Sequence, residues 1–456
     1  MQRFNNWVLM IFENYLPYYR RNLQIAVPVM LSQAGQVLVQ QVDNMMVGSV
    51  GTTELAAASF ANSVFILGMI LGMGFTFGLT PIVGHAFATG DNHRSGTLFR
   101  NAIVVNMTTG ILLTIIMFFI SFIMDRMGQS ENVVALAIPY YRIQVISLLP
   151  FLLYYTFKQY SEGLGNTKVA MYITITANII NIIFNYILIF GKLGAPELGL
   201  NGAGYATLLA RTIMPILFIV AFYKSATLKR HLIFLKIALL DTKIMRQLFQ
   251  VGWPIALQML LEVSAFAMSG IMIGWIGEIP LAAHQIALGL ASVTFMIITG
   301  IGSATTIRIA HQYSKKEFTS VKKATYASLH LVLIFMTFTA ISFLLFRHQI
   351  PKLYNQNPEV IALAAQLLIM AAIFQIFDGV QVVMLSALRG LADVKTAMFY
   401  AFISYIVINI PISYFLAFII GWGAIGVWIG FILGLGVAAT LFYLRFNKQC
   451  KSFITK

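Results

Sequence analysis

The sequence predicts an all-α integral membrane protein with twelve transmembrane helices in two parallel-repeat lobes of six. Three observations carry this. Of the 456 residues, 59% are hydrophobic and only 10% charged, and the apolar runs are too long and too many for a soluble core. Lysine and arginine fall on alternate connections, as a polytopic chain requires. The chain also repeats itself: Pro28, Gly48, Leu55, Gly74 and His85 recur at a constant offset as Pro254, Gly274, Leu281, Gly300 and His311. An even number of spans per repeat makes the repeats parallel, related by an axis along the membrane normal.

The first segment, roughly 22–48, contains AVPVMLSQAGQVLVQQVDNMMVG, long and apolar with no positive charge after Arg21. Gln33, Gln36, Gln40 and Asp43 interrupt it at steps of three and four, which places them on one helical face. Pro28 weakens the cytoplasmic end of this helix and permits a bend, so it is a candidate hinge. The second segment (55–83) ends near His85. The third (98–124), with ILLTIIMFFISFIM, is among the least polar and is expected to face lipid. The fourth (132–156) contains Arg142. The fifth (169–190) carries Asn178, Asn181 and Asn185 on one stripe, and the sixth (202–223) carries Thr207.

The seventh segment (248–275) repeats the first as GWPIALQMLLEVSAFAMSGIMIG, with Pro254 as the matching hinge. Its carboxylate, Glu262, aligns with Gln36 rather than with Asp43. The eighth (280–309) ends near His311. The ninth (325–346) is again nearly free of polar residues. The tenth (359–386) carries Asp378, and the eleventh (396–419) and twelfth (424–444) complete the second lobe. The expected organisation is an interfacial N-terminal segment (1–21) rich in Trp and Tyr, an N-lobe (22–223), a basic cytoplasmic linker (224–247), a C-lobe (248–445) and a cytoplasmic tail (446–456). No cleavable signal peptide is expected.

One side of the membrane receives most of the basic residues, including Arg20, Arg94, Lys168, Arg246, Lys322, Arg389 and Arg445. The other receives only Arg126, Lys192, Arg347 and Lys352, so both termini are expected in the cytoplasm. The net charge of +15 follows this topology and forms no basic arm, which argues against a nucleic-acid partner. A single cysteine, Cys450, excludes a disulfide framework or a cysteine metal cluster. The histidines show no metal-ligand spacing, and no His/Asp or Ser/Lys constellation lies near one surface, so neither a cofactor nor an enzymatic activity is expected.

Of fifteen acidic residues, only Asp43, Glu262 and Asp378 fall well inside predicted spans; the others, Glu162 among them, read as solvated charge at helix ends. A carboxylate inside a span costs on the order of 2.5–3.5 kcal/mol on insertion scales, so the three are read as cation- or proton-binding groups. A structural hydrogen bond to a neighbouring helix is the plainer alternative. Glu262 lies about 24 Å along the helix past Arg246 and Asp378 about 17 Å before Arg389, which brings both near mid-membrane. Two such acids share a proton or hold a cation between them. Gln258, Gln375 and Gln381 lie near the same faces and are expected to add neutral oxygens. In the first lobe, Asn178, Asn181 and Asn185 are expected to face Asp43, with Thr207 a weaker addition and Gln36 and Gln40 in support. Carboxylate, amide and hydroxyl oxygens suit a hard cation and not zinc or copper.

These residues together resemble the multidrug and toxic compound extrusion (MATE) family, and most closely its sodium-coupled bacterial NorM-like branch. The resemblance rests on VDNMMVG with Asp43, on the proline-containing start of each lobe, and on LLEVSAF with Glu262. FDGVQVVMLSALRG with Asp378 and NIIFNYILIFGKLGAPELGLNGAGYATL extend it over nearly the whole chain. It implies two six-helix lobes forming a V-shaped cleft, and export of small organic cations and drugs in exchange for sodium or protons. It further implies a cation site at Asp43, Asn181, Asn185 and Thr207, and a second at Glu262 and Asp378. Phe374 stands where some members have a tyrosine one turn before the second acid. A monomer in the bacterial inner membrane, in contact with lipid, is expected. A lipid-linked oligosaccharide flippase shares the two-lobe plan and is the alternative, although its cavity calls for cationic lining.

Overall fold

The computed structural model of the chain describes residues 2–225, 229 and 240–454. Among them, twelve helices are long and apolar enough to cross a membrane. They are α1 (Asn14–Val50), α2 (Thr52–Ala88), α3 (Asn92–Ile120), α4 (Glu131–Gly163), α5 (Thr167–Phe190) and α6 (Gly199–Lys224), then α7 (Thr242–Ile276), α8 (Glu278–Ser314), α9 (Phe318–Leu345), α10 (Pro358–Gly390), α11 (Val394–Ile419) and α12 (Gly423–Phe453). The helical form follows from the solvent: in lipid, backbone groups are satisfied within the segment or not at all. The helices outrun the apolar segments because nothing halts them at the interface. The residues expected as a separate 1–21 segment are the opening turns of one helix, Gln2–Val50. Met1, most of the 224–247 linker and the end of the 446–456 tail lie outside the described residues.

The helices form two compact bodies, one of Leu31–Ala256 and one of Met1–Met30 with Leu257–Lys456. The division does not follow the linker. The opening of α1 belongs with the second half of the chain and the opening of α7 with the first, each changing body just past its proline, Pro28 or Pro254. Close backbone approach explains the exchange. A Cβ on Gly78 of α2 would lie 2.8 Å from the backbone of Gly252, and one on Gly252 would lie 2.6 Å from the Phe75 carbonyl. In the other body a Cβ on Gly300 of α8 would meet the Met30 backbone at 3.0 Å. Small residues at such contacts let helices pack where no hydrophobic drive exists between them.

Each body repeats one contact. In the first, Thr80 donates to the Gln159 carbonyl at 3.1 Å, and a Cβ on Gly163 would stand 3.0 Å from the Thr80 carbonyl. In the second, Thr306 donates to the Ser386 carbonyl at 2.9 Å, and a Cβ on Gly390 would stand 2.9 Å from the Thr306 carbonyl. The core of the first body is aromatic, with Phe99 stacked on Tyr160 at 4.0 Å and Phe157 edge-on to Phe99. That of the second centres on fully buried Trp428 and Phe431 against Phe374. As expected for lipid-facing helices, α3 exposes Ile111, Leu112, Ile115 and Phe119, and α9 exposes Ile334, Phe338 and Ile341.

The repeat breaks at α11. Its counterpart α5 is a regular helix, whereas α11 holds two π-helical stretches, Ile403–Asn409 and Phe415–Ile419, on either side of Pro411. Proline lacks the N–H and crowds the carbonyl one turn back, so the ladder slips to wider turns. The polar ends also hold a correction. Glu162 and Lys158, expected in solvated positions, are buried in the last turns of α4 and pair at 4.0 Å. Arg308 is likewise buried and donates to the Tyr18 carbonyl at 3.0 Å and to Asn22. The causes differ: α4 runs on past its apolar segment and neighbouring helices cover the extra turns, whereas Arg308, at the end of the eighth segment, is covered by the opening turns of α1.

Candidate cation sites

In the first body, α5 delivers its asparagines to α1 and α6 as a ladder. Asn185 donates to a carboxylate oxygen of Asp43 and, at 3.1 Å, to the Asn181 oxygen. Asn181 donates in turn to the Thr207 hydroxyl at 3.4 Å. The helical step of three to four residues aligns these side chains on one stripe. Asn181 and Asn185 are buried, Asp43 is half-buried, and the Asn185 oxygen has no protein partner. Asn178 does not reach Asp43: it faces α1 about two turns lower, where a Cβ on Gly35 would lie 3.0 Å from its amide nitrogen, and that nitrogen is unpartnered. Gln36 is half-buried and Gln40 exposed, so Gln40 is not drawn into the ladder.

Arg211 of α6 completes this centre, within electrostatic reach of Asp43. It donates to Gln144 at 3.1 Å and Ser147 at 2.6 Å, and its guanidinium lies over the rings of Phe65 and Phe151 at 5.2 and 4.8 Å. Sequence reasoning assigned it no role. Its signal was there to use, an arginine inside a span one turn after Thr207.

In the second body, Glu262 of α7 and Asp378 of α10 act on one another electrostatically. Asp378, Gln258, Gln375 and Gln381 are all buried. Gln258 donates to Glu262 at 2.9 Å. Its oxygen, expected to face a cation, instead accepts from Arg389, whose long side chain reaches back from the end of α10. Gln375 accepts from Thr339 at 3.1 Å, and its amide nitrogen is unpartnered. Gln381 donates to the Tyr405 hydroxyl at 2.8 Å and leaves its buried oxygen unpartnered. Tyr405 also lies within electrostatic reach of Glu262. Tyr405 and Arg389 were missed: the tyrosine comes from a third helix, and the arginine reads as ordinary positive-inside charge.

The donor set is chemically uniform. Among the described residues no group of three or more His, Cys, Asp or Glu is placed to hold a metal ion. What the two sites offer is carboxylate, amide and hydroxyl oxygen, with one buried amide oxygen left open in each, Asn185 Oδ1 and Gln381 Oε1. Such oxygens fit a hard monovalent or divalent cation. A buried carboxylate beside them fits a proton equally well.

Twelve spans in two repeated bodies, one with Asp43 and the other with Glu262 and Asp378 among amides and hydroxyls, define a multi-pass helical membrane protein. The chain belongs to the MatE family, whose model matches residues 28–187 and 254–415, once in each half. It is 32% identical over 454 residues to the probable multidrug resistance protein NorM of Mannheimia succiniciproducens, covering 98% of this chain and 96% of that one. It is 32% identical to the multidrug resistance protein NorM of Vibrio cholerae, covering 92% and 93%. Among solved structures, the eukaryotic MATE transporter AtDTX14 superposes with a TM-score of 0.85 at 19% identity, covering 96% of this chain and 98% of that one. An outward-facing multidrug resistance MATE family transporter gives 0.86 at 20%, covering 96% and 97%.

Proposed function

We propose that this chain is a multidrug efflux transporter that exports cationic and amphipathic organic compounds in exchange for sodium by alternating access. The observation that carries the coupling is the Asp43–Asn185–Asn181–Thr207 ladder with its open Asn185 oxygen, because a partly dehydrated sodium ion needs several converging oxygens and a proton needs only the carboxylate. Glu262, Asp378 and the open Gln381 oxygen supply a second set. Protons can exchange at the same acids, so proton coupling at one of the two sites is the competing reading. The names of the relatives support drug export, and nothing in the site calls for a catalytic step. The flippase alternative needs free cationic groups for a pyrophosphate, whereas Arg211 and Arg389 are both engaged by protein partners. The transporter is read as a monomer in the bacterial inner membrane.

The test is efflux of a fluorescent organic cation from proteoliposomes with a sodium gradient and no pH gradient. Sodium is expected to drive transport where choline does not, and Glu262→Gln or Asp378→Asn to blunt the response. Transport driven by a pH gradient alone, with no effect of sodium, would make the chain a proton antiporter.

A further inference from the structure

The hydrogen-bond chain from Arg389 through Gln258 to Glu262 has a direction imposed by chemistry. A guanidinium has no acceptor, so the Gln258 oxygen must face Arg389 and its NH2 must face the carboxylate, as found at 2.9 Å. Tyr405, whose hydroxyl receives a bond from Gln381, lies within electrostatic reach of the same carboxylate. In this arrangement Gln258 turns a donor onto Glu262 and its oxygen onto Arg389, which is the reverse of what a metal cation at the carboxylate requires.

We propose that Arg389 is a positioning residue that serves as the resident cation of the second-body site. Held at Gln258, it turns the amide donor onto Glu262, and sodium gains the Gln258 oxygen only when Arg389 lets go. The inference rests on the sodium reading above and adds a reason for ion release: Gln258 keeps both its hydrogen bonds, to Arg389 and to Glu262, without sodium. Arg389 is also tied to the packing of its helix. The adjoining Gly390 is wedged against Ile309 and the Thr306 carbonyl of α8. Asp393, in the following turn, receives hydrogen bonds from Arg445 at 2.6 Å and Gln449 at 3.0 Å on α12. A shift of α8 or α12 therefore acts on the arginine as well. The matching position in the first body holds no arginine. The residue whose carbonyl closes the matching turn there is Glu162, where Arg389 does so here.

The experiment is equilibrium binding of radioactive sodium to the purified full-length protein, made in an Asp43→Asn background so that only the second site is counted. Arg389→Met and Arg389→Gln are each expected to tighten sodium binding about tenfold, since a unit positive charge near the acid has been removed. Arg389→Lys, which keeps the charge, is expected to stay within about twofold of the parent. A purely structural arginine would instead leave the affinity unchanged or weaken it, with a lower unfolding temperature, and that result overturns the proposal. Two further outcomes separate the readings. Sodium bound by the unmodified chain but not in the Asp43→Asn background overturns this inference and spares sodium coupling. Sodium bound by neither removes the coupling reading and the inference together.

Discussion

Asp43 and Asn185 show how a single contact separates packing from chemistry. The carboxylate accepts a hydrogen bond that an amide oxygen accepts equally well, so Asp43→Asn retains the contact between α1 and α5. It loses the negative charge that a cation or proton neutralises. The variant is therefore expected at wild-type level in the membrane, with dye efflux reduced to background. Normal efflux at normal abundance would reduce Asp43 to a helix–helix fastener. Arg211 fits beside this view as a fixed positive charge, oriented by Gln144 and Ser147 and flanked by two phenylalanine rings. Polar side chains in an apolar body are stable only when partnered, which is why the ladder is continuous from Asp43 to Thr207.

Helices α1 and α7 each carry one of the three intramembrane acids, Asp43 and Glu262, and each changes body just past a proline. Their opening turns are seated on glycines, and the two seats differ in what surrounds them. At Gly252 an added side chain would press on the Phe75 carbonyl at 2.6 Å, which is backbone and cannot swing aside. At Gly300 the tightest neighbour is Met30 Cγ at 2.5 Å, and the backbone comes no nearer than the Met30 nitrogen at 3.0 Å. Gly252→Val is therefore expected to destabilise by roughly 1–3 kcal/mol and Gly300→Val by less. Unfolding temperatures of the purified variants measure the order, and the opposite ranking would contradict the packing described. The π-helical stretches of α11 are a second asymmetry. They follow from Pro411, for which α5 has no counterpart, and Tyr405 projects from the first of them toward the Glu262 site.

For the molecule as a whole, the orientation in the membrane rests on charge alone, and it can be checked directly. The connection between α8 and α9 carries Lys315 and Lys316, with Lys322 and Lys323 in the opening turns of α9, so it is expected in the cytoplasm. With Cys450 replaced, a cysteine substituted for Ser314 is expected to resist an impermeant thiol reagent added to intact cells and to react once the cells are opened. Ready labelling from outside would invert the topology. Much of this architecture was readable from residue order. Spans, repeat and the three intramembrane acids all follow from transfer energies, which depend on local composition and act on each segment separately. The asparagine stripe of α5 was visible for the same reason, since helical spacing is a local property. The rest needed the fold. That Asn178 falls short of Asp43, that α1 and α7 exchange bodies, and that the Gln258 oxygen is taken by Arg389 all depend on which helices meet and at what height. Such contacts join residues more than a hundred positions apart, and no periodicity along the chain encodes them.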